Sequence, residues 1–63
     1  MTLKQARKKY GGYTQKELAD LIGVSEVTVS NWERGITTPS VSMWKSVADA
    51  LGVSMQEIEF KVK

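Results

Sequence analysis

The chain has 63 residues, enough for one small domain whose core holds only a handful of large side chains. It contains no cysteine and no histidine, which excludes disulfides, thiol nucleophiles, imidazole bases and ordinary zinc sites. Nine Lys and Arg against seven Asp and Glu give a net charge of +2, so any binding to a polyanion depends on where the charges lie. No apolar run reaches the ~20 residues of a membrane span, and the first residues show no signal-peptide pattern, so we expect a cytoplasmic protein.

Apolar spacing and capping residues predict the first two helices. The first runs from about Leu3 to Tyr10 behind the N-cap Thr2, and two glycines follow its end. Its inward stripe is predicted to be Leu3, Ala6, Arg7 and Tyr10. The second helix opens with a capping box of Thr14 and Glu17 and is predicted to bury Leu18, Leu21 and Ile22.

The third helix is predicted over Glu26 to Arg34, between the N-cap Ser25 and Gly35. Pro39 then indicates a loop, because proline disfavours helical backbone at the residue before it.

A fourth helix is predicted between the cap Ser40 and the stop Gly52, with Val41, Trp44, Val47, Ala48 and Leu51 facing inward. A second capping box over Ser54 to Glu57 predicts a short fifth helix that carries Met55 and Ile58 inward. We interpret both tryptophans as core residues, because each lies on an apolar stripe at helical spacing; stacking on bases is the alternative.

Two segments of the chain repeat one pattern, since Leu18–Ser25 is echoed by Val47–Ser54. Each copy is a helix end, a glycine stop, an apolar residue and a serine cap, so we interpret the echo as local convergence on one corner geometry. The helix after the second corner has an acidic polar face, which phosphates would repel. The helix after the first corner has a small, neutral, hydrogen-bonding face, and only this one suits a DNA groove.

The segment Gln15 to Arg34 reads QKELADLIGVSEVTVSNWER and resembles the helix-turn-helix of the Cro/cI-type (Xre family) repressors. The motif positions are filled by Leu18, Ala19, Gly23, Val24, Val29 and Trp32. The resemblance implies an all-α, compact five-helix, lambda-repressor-like domain over residues 1–63, with the motif at helices 2 and 3. It also implies double-stranded DNA as partner, no cofactor and no catalytic or metal site.

The same family often pairs an arginine of helix 1 with the glutamate that follows the tryptophan, here Glu33. The connection after helix 1 is one residue longer than usual, so either Arg7 or Lys8 aligns with that arginine. Arg7 is favoured because it lies on the buried stripe. We expect a partly buried Arg7–Glu33 ion pair; the alternative is two solvated charges.

The outward side of helix 3 is predicted to enter the major groove, its N-terminal residues nearest the bases. The resemblance puts Glu26, Val27, Thr28 and Asn31 at base-reading positions. Asparagine pairs bidentately with adenine, threonine donates or accepts, and valine suits the thymine methyl group. Glu26 either accepts from cytosine or serves only the helix dipole.

Phosphate contacts are expected on and around helix 3, at the start of helix 2 and in the loop that follows helix 3. The candidates are Gln15, Lys16, Ser30, Arg34, Thr37, Thr38 and Ser40. Four further lysines, Lys4, Lys8, Lys9 and Lys45, are weaker candidates because surface lysines are usually only solvated.

A domain this small touches few base pairs, so we expect a homodimer on a palindromic operator. The candidate dimer surface is helix 5 with the tail, residues 55–63, through Met55, Ile58, Phe60 and Val62; core closure is the alternative. The preferred function is a transcriptional repressor. The competing class is an antitoxin or protein-interaction module with the same fold, and an enzyme has no support in the residue types present.

Overall fold

The computed structural model describes residues 1–60, which form four α-helices and a final turn of 3-10 helix. The helices are α1 (Leu3–Lys9), α2 (Gln15–Ile22), α3 (Glu26–Arg34) and α4 (Val41–Leu51), and the turn is Met55–Glu57. The all-α class is confirmed, but the predicted fifth helix is only this turn. None of the helices within residues 1–60 is long and apolar enough to cross a membrane.

The helices begin where hydroxyl side chains cap them. Thr14 Oγ1 accepts the N–H of Glu17 at 3.1 Å while Glu17 Oε1 accepts the N–H of Thr14 at 2.9 Å, which completes the predicted capping box. Thr2 caps α1 in the same way with Gln5 as its partner. The first helix ends at Lys9, one residue earlier than predicted, because Tyr10 has already left helical geometry as the C-cap.

The two corners with the repeated pattern share one backbone geometry. Gly23 and Gly52 take φ of +76° and +73°, the left-handed region that glycine enters without a steric penalty. The next residue then donates back into the helix, since the N–H of Val24 reaches the Ala19 carbonyl at 2.9 Å and that of Val53 reaches Ala48 at 3.0 Å. The same corner geometry is therefore enough to account for the sequence echo.

The core lies between the four helices and the residues after the 3-10 turn. Its fully or nearly buried apolar members are Leu3, Ala6, Leu18, Ala19, Val29, Trp32, Val47, Ala48, Leu51 and Ile58. Trp44 is half-buried and donates its indole N–H to the Met55 carbonyl at 3.0 Å. The Phe60 ring meets Trp32 and Trp44 edge to face, with centroids 6.4 and 5.0 Å apart. Both tryptophans thus serve packing.

Two residues that were predicted to face inward are exposed. Leu21 is 54% exposed, because α2 buries the stripe of Leu18, Ala19 and Ile22, and Leu21 lies roughly 100° from the centre of that stripe. Val41 is 74% exposed although its angular position is correct. It is the first residue of α4, and since helical side chains lean toward the N-terminus, its side chain extends past the end of the helix.

The residues after the 3-10 turn close the core, which was the alternative to their use as a dimer surface. The dimer surface stays a prediction. Ile58 is fully buried, and Met55 and Phe60 pack against the same cluster. Glu59 donates its N–H to the Met1 carbonyl at 2.7 Å and forms a parallel bridge with Thr2, which fixes this segment beside the start of α1. Val62, the last predicted member of that surface, lies outside the described residues.

Candidate nucleic-acid interface

Helix α3 has two faces with different environments. Val29 and Trp32 are buried against the other helices. On the opposite side Val27 is 66% exposed and Asn31 is half-buried, with the exposed Glu26 before them at the first position of the helix. The outward face carries one apolar residue among small polar ones, and its end bears the exposed Arg34.

The hydroxyl of Thr28 is held by the N-cap of its own helix. Ser25 Oγ accepts the N–H of Thr28 at 3.1 Å and lies 2.8 Å from Thr28 Oγ1, close enough for a hydrogen bond between the hydroxyls. The cap and the candidate base-reading residue therefore share one contact, which orients the Thr28 hydroxyl toward Ser25.

Asn31 combines a satisfied backbone with an available side chain. Its carbonyl accepts the N–H groups of Gly35 and, at 3.0 and 3.5 Å, of Ile36 and Thr37, which ends the helix. No hydrogen bond within residues 1–60 uses its side-chain amide. That amide can therefore offer a donor and an acceptor side by side, the pair that adenine requires.

The candidate phosphate-binding residues lie on the two segments that flank α3, except for Ser30 and Arg34, which lie on α3 itself. At the start of α2, Lys16 is exposed and Gln15 is half-buried, and the first backbone N–H groups of a helix have no acceptor inside it. In the loop after α3, Thr37 and Thr38 are exposed. Ser40 Oγ accepts the N–H of Met43 at 3.3 Å, so its own hydroxyl hydrogen can still be donated. Ser30 is half-buried on α3 itself, while Lys4, Lys8, Lys9 and Lys45 are exposed.

Arg7 and Glu33 form a bidentate ion pair that joins α1 to the end of α3. Arg7 Nε donates to Glu33 Oε2 at 2.8 Å and Nη2 donates to Oε1 at 3.2 Å, with the side chains only 8% and 5% exposed. Lys8, the alternative partner, is exposed. The reason for the choice is geometric, since Arg7 lies on the stripe of α1 that faces the core.

Three features of this region were not predicted. Arg7 Nη1 also donates to the Tyr13 carbonyl at 2.6 Å, and Gln15 Nε2 donates to Glu33 Oε1 at 3.2 Å. A Cβ added to Gly11 would clash with the Tyr13 ring, so this glycine makes room for the ring. The first contact uses a backbone carbonyl, for which the sequence carries no signal, and the second joins residues 18 positions apart.

The sequence is similar to a known protein family and to two known proteins. A family model described as helix-turn-helix matches residues 3–58. A protein of Bacillus subtilis (strain 168) named as the uncharacterized HTH-type transcriptional regulator YazB is 35% identical over 54 residues, which is 86% of this chain and 78% of that protein. An uncharacterized HTH-type transcriptional regulator of Methanothermobacter thermautotrophicus (strain Delta H) is 39% identical over 51 residues, 81% of this chain and 74% of its own length. Among solved structures none is significantly similar.

Proposed function

Because the chain belongs to the helix-turn-helix family, we propose that it is a sequence-specific DNA-binding transcriptional repressor of the cytoplasm that acts by binding alone. The observation that carries the proposal is the outward face of α3, which is small, hydrogen-bonding and exposed. Its polar groups and the exposed methyl groups of Val27 are of the kinds that base edges in the major groove can pair with. The names of the two relatives, both regulators, support the same function.

Four residues of this face are proposed to read bases. The free amide of Asn31 suits adenine N6 and N7, and the methyl groups of Val27 suit a thymine methyl. Thr28, fixed by Ser25, offers one hydroxyl of set direction. Glu26 stands at the first turn of the helix, where it either accepts from cytosine N4 or only complements the helix dipole.

Phosphates are proposed to be held from both sides of α3. On one side of α3, phosphates would be bound by Lys16 and the first backbone N–H groups of α2, with Gln15 beside them. Arg34 and the hydroxyls of the following loop serve the other, through Thr37, Thr38 and Ser40, and Ser30 is a further candidate on the helix. The charge of Glu33 does not oppose this, because Arg7 neutralises it.

We further propose that two copies bind a palindrome with half-sites about one helical turn apart. The argument is the small binding surface of one domain, which reaches few base pairs. Sedimentation at micromolar concentration with and without DNA tests it. A single copy on the selected DNA would contradict the dimer and leave the DNA-binding proposal intact.

Selection of bound duplexes from a random library tests the DNA-binding proposal. Asn31→Ala should relax the preference at one position by about 1–3 kcal/mol, while Lys16→Ala should weaken all sequences alike and reduce the salt dependence by about one phosphate contact. Gln56→Ala, an exposed change on the 3-10 turn, is the control and should alter neither. If the wild-type protein enriches no sequence at low salt, the proposal fails.

A protein-interaction role, such as an antitoxin that also regulates its own operon, has support from the exposed apolar residues Leu21, Ile36 and Val41. It predicts that the wild-type protein co-purifies a partner protein and that the neutral change Val41→Ser loses it without a change in DNA affinity. If no partner protein co-purifies with the wild-type protein or with the variant, this alternative is removed.

A further inference from the structure

Glu33 holds the side chain of Gln15 as well as that of Arg7. Its Oε1 atom accepts Gln15 Nε2 and Arg7 Nη2, each at 3.2 Å, while Oε2 accepts Arg7 Nε at 2.8 Å. The side chain of Glu33 is only 5% exposed, whereas Gln15 is half-buried at the first position of α2. One buried anion therefore connects the interior to the edge of the proposed interface.

This contact fixes which end of the Gln15 amide faces inward. A carboxylate accepts only from the nitrogen, because the amide oxygen would be repelled by it. One N–H of the amide is then used by Glu33, and the second N–H of the same nitrogen remains for an outside acceptor. A free glutamine side chain loses rotamer entropy when it is ordered, and the contact with Glu33 meets part of that cost before DNA arrives.

The ion pair with Arg7 allows the Glu33 carboxylate to lie next to a proposed phosphate contact. An unpaired anion a few ångströms from a phosphate would oppose binding, but the bidentate guanidinium neutralises Glu33. Arg7 is itself fixed by the Tyr13 carbonyl, so the group of three side chains is ordered from α1 to α2.

We propose that Glu33 is a positioning residue for phosphate recognition, which it serves by orienting the Gln15 amide toward the DNA backbone. The proposal rests on the proposed function, because it needs Gln15 to contact a phosphate. It adds to that function a division of tasks: Arg7 and Glu33 do not touch DNA, and their contribution to affinity passes through Gln15.

A double-mutant cycle on DNA affinity tests this dependence. The variants are Gln15→Ala, the paired replacement Arg7→Met with Glu33→Met, and the triple combination, measured on the selected duplex. Gln15→Ala should weaken binding about tenfold, the size of one hydrogen bond to a charged group, and the paired replacement should weaken it by a smaller factor. The triple variant should be no weaker than Gln15→Ala. Losses that multiply in the triple variant would overturn the proposal.

Lys16→Ala is the matched control, since its loss should multiply with that of the paired replacement. If Lys16→Ala weakens binding and Gln15→Ala does not, the positioning proposal is overturned while the DNA-binding function stands. If the wild-type protein selects no duplex, the function itself fails.

A measurement on the free wild-type protein covers the case in which the paired replacement does not fold. In an NMR spectrum, the side-chain amide proton of Gln15 that Glu33 accepts should be shifted from the position seen at the exposed Gln56 and should exchange more slowly with water. Side-chain amide protons of Gln15 that match those of Gln56 in both shift and exchange rate would overturn the proposal without any variant.

Discussion

Ile58→Ala tests whether the segment after the 3-10 turn belongs to the core of one chain. The substitution removes three carbons from a side chain that is 1% exposed. At about 0.8 kcal/mol for each buried carbon the transfer loss is about 2.4 kcal/mol, and the cavity left behind brings the expected loss to about 3 kcal/mol or more. A 63-residue domain has about 3–9 kcal/mol of stability in total, so this one side chain accounts for a large share.

Urea and thermal unfolding followed by circular dichroism measure the effect. The thermal midpoint should fall by roughly 12–24 °C, since a loss of about 1 kcal/mol lowers it by about 4–8 °C in a domain of this size. Val41→Ala is the matched control, because its side chain is 74% exposed and its loss should stay within about 0.5 kcal/mol.

Protein concentration separates core packing from an interface between copies. The Ile58→Ala loss should be the same at low and high concentration. A loss below about 1 kcal/mol, or a wild-type midpoint that rises with concentration while that of the variant does not, would refute the assignment of Ile58 to the core.

Three further substitutions test local parts of the structure. Arg7→Met alone should lower the free energy of unfolding by about 3–5 kcal/mol, because it leaves Glu33 buried without its cation. The paired replacement with Glu33→Met should lower it by at most about 1 kcal/mol. Equal losses in urea melts would contradict the ion pair. Gly23→Ala should cost about 1–2 kcal/mol through its φ of +76° alone, since a Cβ there meets no atom within 4 Å, and a much larger loss would indicate crowding. Ser25→Ala should cost about 0.5–2 kcal/mol and Ser25→Gly only a few tenths, as read from thermal midpoints; equal losses would mean that the cap is not what stabilises α3.

The parts of the fold that were predictable are those encoded by neighbours in sequence. Thr14 with Glu17, and Gly23 before Val24, specify backbone hydrogen bonds over three to five residues, so caps and corners are readable directly. Burial was less predictable. The inward positions of Leu21 and Val41 were wrong, because an apolar residue near a stripe is buried only where another element covers it.

The candidate site was predictable in position but not in its supporting contacts. The two faces of α3 follow from its spacing, and the Arg7–Glu33 partners follow from the family pattern. The bond from Gln15 to Glu33 depends on how α2 and α3 cross, which no local pattern records. The 3-10 turn was mistaken for a helix because a capping box signals a helix start and says nothing of its length.

The separation of the two faces of α3 bears on how such a protein acquires a new target. Val27 and Asn31 take no part in the core, so other side chains at these positions should leave the melting temperature unchanged while they alter the preferred duplex. Thr28 differs, since its hydroxyl is hydrogen-bonded to Ser25; a change there removes that contact but keeps the cap, which uses the backbone N–H of residue 28. On the proposed function, retargeting should therefore need no compensating substitution in the interior, and a small set of surface exchanges on one helix should produce regulators of equal stability and different specificity.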